Sequence, residues 1–272
     1  MMMTFIGGGN MASALIGGLL RQGFNAQDMR VVEISAEARD TLAKKMGIEV
    51  FATAEAGIDK ADVIVLAVKP QQMAQVAKDM GKYLTAQQLV ISIAAGIRTV
   101  DLSRWLGGHT NIVRAMPNTP SLALAGMAGL FALPQVSKEQ KDAAQELLGA
   151  AGATLWFDDE KHLDAVTALS GSGPAYVFYF LEAMQQAGVE LGLTKEAARS
   201  LGVCTFLGAA KLAAESPDDA ATLRQRVTSK GGTTERALSV MEAAEIKTHL
   251  IDAIKQAAVR SVELGDELGK TA

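Results

Sequence analysis

Two stretches of this sequence place glycines where a backbone would have to come close to a ligand. The first, FIGGGNMASALIGGL, sets Gly7, Gly9 and Ala12 in the spacing G-x-G-x-x-A. Gly7 permits a tight turn, Gly9 lets the main chain approach a pyrophosphate, and Ala12 lets the following helix pack closely. The amide N–H groups that a helix leaves unpaired at its start then face the anion. An apolar run precedes the motif and a helical pattern follows it, the order that dinucleotide binding requires. The second stretch, VTSKGGTTERAL over residues 227–238, sets Gly231 and Gly232 between Ser229 on one side and Thr233 and Thr234 on the other. That junction is either a nest of N–H donors for a carboxylate or phosphate or an ordinary capped connection between helices.

Other candidates are weaker singly. Glu33 lies about 24 residues after Gly9, near the spacing at which an acidic side chain bonds the ribose 2′-hydroxyl of NAD. Ser35 and Arg39 follow closely and suit a 2′-phosphate, so the residues alone leave the choice of dinucleotide open. VIVLAVKP ends at Lys69-Pro70 and ISIAAG at Gly96, both where strands of an open parallel sheet point at a ligand crevice. Lys69 reads equally as a solvated strand end. RAMPNTP, residues 114–120, builds a stiff loop, and SGSGPAYV, residues 170–177, a turn into a helix; each either lines a pocket or merely connects. No metal site is expected, because His109, His162 and His249 lie in unrelated contexts without ligand spacing. Neither a Gly-x-Ser-x-Gly elbow nor a Walker sequence is present. Trp105 and Trp156 read as packing anchors.

The elements that must position these residues fall into two groups. Residues 4–6, 30–33, 62–67, 89–94, 111–115 and 154–157 read as strands, and residues 11–22, 36–46 and 137–150 as helices between them. Such alternation, with nearly continuous Val, Ile and Leu, predicts an α/β domain built on a Rossmann-type doubly wound parallel sheet covered on both faces. After residue 158 the strand signals stop. Residues 174–191, 195–215, 218–227, 234–243 and 246–268 read as helices, with Pro174 in a first turn, Thr194 as an N-cap and Asp218 near a helix start. The expected division is a dinucleotide-binding domain over 1–158 and an all-helical domain over 159–272. The join near 158–161 is charged and short, which argues against free swinging.

Composition agrees with this reading. The length of 272 residues suits one large or two modest domains at about 150 residues each. With 49% hydrophobic residues, 21% charged and six Pro, neither a disordered nor a collagen-like chain fits. A net charge of −4 argues against nucleic acid or an anionic membrane held by bulk charge. The single Cys204 suits a reducing compartment, hence a cytoplasmic protein, and reads as an inert buried thiol. The first twenty residues read as a buried strand and helix, not a signal peptide, and no apolar run approaches the ~20 residues that span a bilayer.

Taken together, FIGGGNM, AVKPQ, SIAAGI, RAMPNTP, SGSGPAYVFYFLEA and VTSKGGTTERAL, in this order over nearly the whole chain, closely resemble pyrroline-5-carboxylate reductase, the last enzyme of proline biosynthesis. The resemblance implies reduction of L-1-pyrroline-5-carboxylate to L-proline by NADPH, with NADH as an alternative. It implies that Ile6, Gly7, Gly8, Gly9, Asn10 and Met11 hold the pyrophosphate. Ala67, Val68, Lys69 and Pro70 would run beside the ribose and nicotinamide with Ala94, Ala95 and Gly96, while Met116, Pro117 and Asn118 flank the nicotinamide. Ser229, Gly232, Thr233 and Thr234 would bind the substrate's carboxylate and ring, with Glu215 as a neighbour. A cyclic imine bound as its iminium needs only a hydride, so catalysis is mainly orientation, with the C=N carbon about 3–3.5 Å from the donor. Thr234 is the candidate catalytic residue, its hydroxyl hydrogen-bonding the ring nitrogen. Two departures stand out: Lys230 replaces a Pro that many relatives carry, and Glu33 sits poorly with strict NADPH preference. The resemblance also implies a homodimer interlocked through the helical domains and assembled into a decamer.

Two other readings follow from the residues. One is a reductase of another small imine or 2-oxo acid; hydroxy-acid relatives place a Lys in the helix corresponding to 174–191, which has none here. The other is a non-catalytic dinucleotide-responsive regulator, which leaves the Gly231-Gly232 junction unexplained.

Overall fold

The computed structural model describes residues 1–270. Eight strands form one sheet: β1 (Met3–Ile6), β2 (Met29–Val32), β3 (Glu49–Phe51), β4 (Val63–Leu66), β5 (Leu89–Ser92), β6 (Ile112–Met116), β7 (Gly126–Ala132) and β8 (Gly152–Trp156). Their order is β3-β2-β1-β4-β5-β6-β7-β8. Neighbours from β3 to β6 are parallel, whereas β7 runs antiparallel to β6, and β8 is parallel to β7. The expectation of a wholly parallel sheet is therefore corrected at its last two strands. Neither β3 nor β7 carries a clear sequence signal. β7, GMAGLFA, is poor in β-branched residues because its glycines lie under neighbouring groups: a Cβ on Gly129 would lie 2.8 Å from the Val166 side chain, and one on Gly126 2.9 Å from the Ala151 carbonyl oxygen.

The sheet is covered by α1 (Asn10–Arg21), α2 (Ala36–Met46), α3 (Ala54–Ile58), α4 (Pro70–Gly81), α5 (Thr99–Trp105), α6 (Lys138–Gly149) and α7 (His162–Val166), the last continuing into a π-helical turn at Thr167–Gly171. Strand side chains alternate between faces, which accounts for the apolar runs and for two cores. Phe5, Val31, Val65, Ile91 and Val113 pack with Leu15, Ile16, Leu19 and Leu147. Ile6, Val32, Ile64, Leu66 and Val90 pack with Met73, Met80, Leu102 and Trp105.

The remaining helices are α8 (Gly173–Glu190), α9 (Lys195–Glu215), α10 (Ala220–Arg226), α11 (Thr233–Ala243) and α12 (Ile246–Gly269). Thr194 caps α9, accepting from the Ala197 amide at 3.2 Å. The cap of α10 is Asp219, which accepts from the Thr222 amide at 2.7 Å, while Asp218 is ion-paired with Arg226. Contacts group Met1–Ser172 with the chain from Gln256 onward, leaving Gly173–Lys255 as a second compact unit. That division differs from a cut at residue 158, because α7 and the end of α12 pack on the sheet unit. Ser261 of α12 donates to Asp164 of α7 at 2.7 Å, and Arg98 pairs with Asp266 at 2.6 Å.

In the second unit α8 packs against α9, yet α8, α10 and α11 have no fully buried residue. Phe178, Tyr179, Leu207 and Leu212 are more than half exposed. Cys204 is exposed as well, which corrects its reading as a buried thiol. Apolar surface of this extent on a lone chain marks an association surface.

The fit of α1 gives a stability prediction. A Cβ on Gly18 would collide with the carbonyl of Ala150, whereas one on Gly17 would meet nothing. Gly18→Ala should destabilise the protein by about 1–3 kcal/mol through overpacking, and Gly17→Ala should stabilise it by about 0.5–1 kcal/mol through helix propensity. Urea denaturation midpoints followed by circular dichroism check both.

Candidate active site

The turn from β1 into α1 is built around Gly7, whose φ of 99° belongs to the left-handed region that glycine tolerates. A Cβ there would lie 3.0 Å from both the Ala67 carbonyl oxygen and Val68 Cγ1. The Gly-rich turn and the AVKP segment, 60 residues apart in sequence, thus abut at this glycine. The ladder continues through them, with the Gly7 amide donating to Val32 at 2.8 Å and the Ala67 amide to Ile6 at 2.9 Å. Gly9 is the N-cap of α1 and no side chain caps that helix; a Cβ on Gly9 would touch nothing within 4 Å. An uncapped helix start reached across an exposed glycine fits a dinucleotide pyrophosphate.

Glu33 stands at the end of β2. Its Oε2 accepts from the Gly8 amide at 3.1 Å and its Oε1 from the Ser35 amide at 3.0 Å. Ser35 Oγ caps α2 by accepting from the Ala38 amide at 3.3 Å. Arg39 Nη1 donates to the carbonyls of Glu33 and Ile34 at 2.7 and 2.9 Å. Acidic, hydroxyl and guanidinium groups are therefore all gathered beside the Gly-rich turn, each with a structural contact already made.

The remaining cofactor candidates leave the same carboxyl-end edge of the sheet. Lys69 is exposed and is the N-cap of α4, with Pro70 in the first turn. Ala94 and Gly96 are buried and Ala95 half-buried. Met116 is half-buried and Pro117 buried, and the methyl of Met116 fills the space where a Cβ on Gly171 would lie. Asn118 is a tie: its amide donates to the Ser170 carbonyl and hydroxyl at 3.3 and 3.1 Å, while its oxygen accepts from the Met127 amide at 2.9 Å.

A group beside these loops has no local sequence signal. Glu160 Oε1 accepts from the Thr99 amide at 2.8 Å and from Arg114 Nη1 at 3.0 Å, and its Oε2 accepts from the Thr99 hydroxyl at 2.6 Å. Arg114 is only 3% exposed. Asp164 stands 4.0 Å from its other guanidinium nitrogen. Glu160, within the charged join at 158–161, is thus tied into a half-buried network whose partners lie 46 and 61 residues away.

In the second unit, the glycine junction leads into a helix start that no side chain caps, and both glycine amides are bonded within the chain. Gly231 has φ 72°, Gly232 is the N-cap of α11, and the Gly232 amide donates to the Ser229 carbonyl at 3.0 Å. The Gly231 amide donates to Glu235 Oε2 at 2.6 Å, so one donor is taken by the protein's own carboxylate. Ser229, Lys230 and Thr233 are exposed and Thr234 is half-buried. Glu215 ends α9, exposed and 3.9 Å from Lys211.

Comparison with known proteins decides the family. The chain is 46% identical to a pyrroline-5-carboxylate reductase of Pseudomonas aeruginosa over 267 residues, covering 98% of both chains. It is 45% identical to that of Haemophilus influenzae, covering 97% of both. The chain belongs to the pyrroline-5-carboxylate reductase family. Residues 160–264 match the family model for pyrroline-5-carboxylate reductase dimerisation, and residues 2–96 match that described as NADP oxidoreductase, coenzyme F420-dependent. Among solved structures, it is similar to a pyrroline-5-carboxylate reductase of Coxiella burnetii with a TM-score of 0.91 and 44% identity, covering 96% of this chain and 97% of that one. It also resembles the Plasmodium falciparum pyrroline carboxylate reductase solved with NADP bound, with a TM-score of 0.87 and 29% identity, covering 97% and 98%. Among the described residues no helix is long and apolar enough to cross a membrane.

Glu33 generates the prediction for this region. If Glu33 faces the ribose 2′ position of a bound dinucleotide, removing its charge beside Ser35 and Arg39 relieves repulsion of a 2′-phosphate and removes a partner for a 2′-hydroxyl. Glu33→Ser should raise the NADPH-to-NADH ratio of kcat/KM by about tenfold, and steady-state kinetics with both cofactors check it.

Proposed function

We propose that this chain reduces L-1-pyrroline-5-carboxylate to L-proline with a reduced nicotinamide dinucleotide, NADPH being the preferred donor and NADH an accepted one. The observation that carries the reading is identity close to one half with reductases of this name along almost the entire chain. The uncapped start of α1 and the Gly231-Gly232 junction supply the two anion sites that the reaction needs.

The cofactor supplies the hydride. On our reading, Ile6 to Met11 bind its pyrophosphate through backbone amides and the start of α1. Ala67 to Pro70 and Ala94 to Gly96 lie along its ribose and nicotinamide, and Met116 to Asn118 hold the nicotinamide plane. Asn118 is rigid because both ends of its side-chain amide are engaged. Ser229, Gly232, Thr233 and Thr234 bind the substrate, with Glu215 beside them. Thr234 directs its hydroxyl at the ring nitrogen; a substrate bound as its iminium takes a hydride at carbon and becomes the secondary amine with no further proton. The protein thus contributes orientation and charge, not a nucleophile.

The two functional domains on this reading are 1–158, which binds the dinucleotide, and 159–272, which binds substrate and dimerises. The exposed apolar faces of α8 and α9 support a homodimer, and further assembly into a decamer belongs to the same reading. A cytoplasmic location agrees with a single, unpaired Cys204.

The direct test is loss of reduced-nicotinamide absorbance with pyrroline-5-carboxylate, run in parallel with NADPH and NADH. Turnover with both and a higher kcat/KM for NADPH is expected; firm cofactor binding without turnover would sink the reading. A second test is Thr234→Ala, which should lower kcat about ten- to a hundredfold while NADPH affinity by fluorescence titration stays within about twofold. Equal loss of both would place Thr234 outside the substrate site.

A further inference from the structure

We propose that Glu160 is a positioning residue for hydride transfer, setting the spacing between the two loops that hold the nicotinamide half of the cofactor. The inference rests on the reading of 94–96 and 116–118 as those loops. β5 and β6 pair in register up to Ser92 opposite Arg114. Beyond that pair the β5–β6 ladder ends: the β5 chain runs on to Ala94–Gly96, while β6 stays in the sheet through Met116, which pairs with Gly129 of β7, and then leads into Pro117 and Asn118.

The Glu160 carboxylate spans this opening. Both the amide and the hydroxyl of Thr99, three residues past Gly96, donate to it, and so does the guanidinium of Arg114, two residues before Met116. Residues two apart on a strand share a face, so Arg114 and Met116 lie on one side of β6. A buried guanidinium requires a partner, and a charge-assisted bond of 3.0 Å fixes direction as well as distance. One carboxylate therefore holds the β5 segment through Thr99 and the end of β6 through Arg114. The β1–α1 turn and Glu33, which on the same reading hold the adenosine and pyrophosphate half, make none of these contacts.

That separation gives the test, which needs no substrate. NADPH and its nicotinamide-free fragment 2′-phospho-ADP-ribose are titrated calorimetrically into the full-length protein. Glu160→Ala should weaken NADPH binding about tenfold, the worth of a charge-assisted hydrogen bond, and leave the fragment within about twofold. Thr99→Ala, a milder change that decides the matter if Glu160→Ala does not fold, should weaken NADPH about threefold by losing one bond, again sparing the fragment. Glu160→Gln keeps an oxygen for the Thr99 amide and Arg114 and an NH₂ to donate to the Thr99 hydroxyl, so it should recover most of the NADPH affinity. In a separate kinetic measurement with pyrroline-5-carboxylate as hydride acceptor, the primary isotope effect with 4-deuterated NADPH should rise in Glu160→Ala and Thr99→Ala as the hydride step slows. Parallel weakening of both ligands, or no change in either, overturns the inference. Failure of the wild type to turn over pyrroline-5-carboxylate, with the binding split intact, overturns the substrate reading instead.

Discussion

The close passage of β1 against the start of the AVKP segment is the constraint around which the nucleotide unit is arranged. β1 lies between β2 and β4, and where it ends the chain must turn sharply without leaving room for a Cβ. Gly7 meets both demands, with a left-handed φ and the Ala67 carbonyl oxygen only 3.0 Å from where a Cβ would stand. The turn then delivers Gly9 to the first turn of α1, so the helix's unpaired amides open at the sheet's carboxyl edge. The parallel strands β1, β4, β5 and β6 end on this edge, which is why segments scattered over more than a hundred residues come to flank it.

A second constraint operates further along the edge, where the sheet reverses at β7. Once β6 and β7 run antiparallel, α7 and the π-helical turn lie over β6 and β7. Asn118 binds Ser170, Met116 packs at Gly171, and Arg114 finds Glu160 and Asp164. The end of α12 joins the same network through Ser261 and Asp266. The buried guanidinium of Arg114 is paired here with half-buried carboxylates, so removing Glu160 leaves a desolvated charge short of its partner.

The helical unit has the opposite character. Thr194 and Asp219 cap α9 and α10, yet α8, α10 and α11 bury no residue fully within the single chain. Its amphipathic faces agree with the match of residues 160–264 to a dimerisation model: apolar stripes of this kind are stable only when covered. In both glycine-rich segments, a backbone amide is bonded by the protein's own carboxylate, Gly8 by Glu33 and Gly231 by Glu235.

Local chemistry made much of this legible in the sequence. The bounds of α2 and α9, the cap at Thr194, the order of strand, glycine turn and helix at residues 3–21, and the glycine junction before α11 all follow from short-range patterns: hydrophobic period, capping residues and glycine spacing. The six motifs in order were enough to place the chain in its family. What only the tertiary structure decided were features with distant or invisible partners. β7 was missed because its glycines serve close approach, not strand propensity. The charged stretch at 158–161 read as a join because Arg114 and Thr99, which turn Glu160 into a half-buried tie, are far away in sequence. Asn118, Ser35 and Arg39 were named for a ligand, and the fold showed that each also carries a structural hydrogen bond. A side chain's type and local period are written in the sequence, but the charge, hydrogen bond or void that it meets depends on which distant segment the sheet order brings beside it.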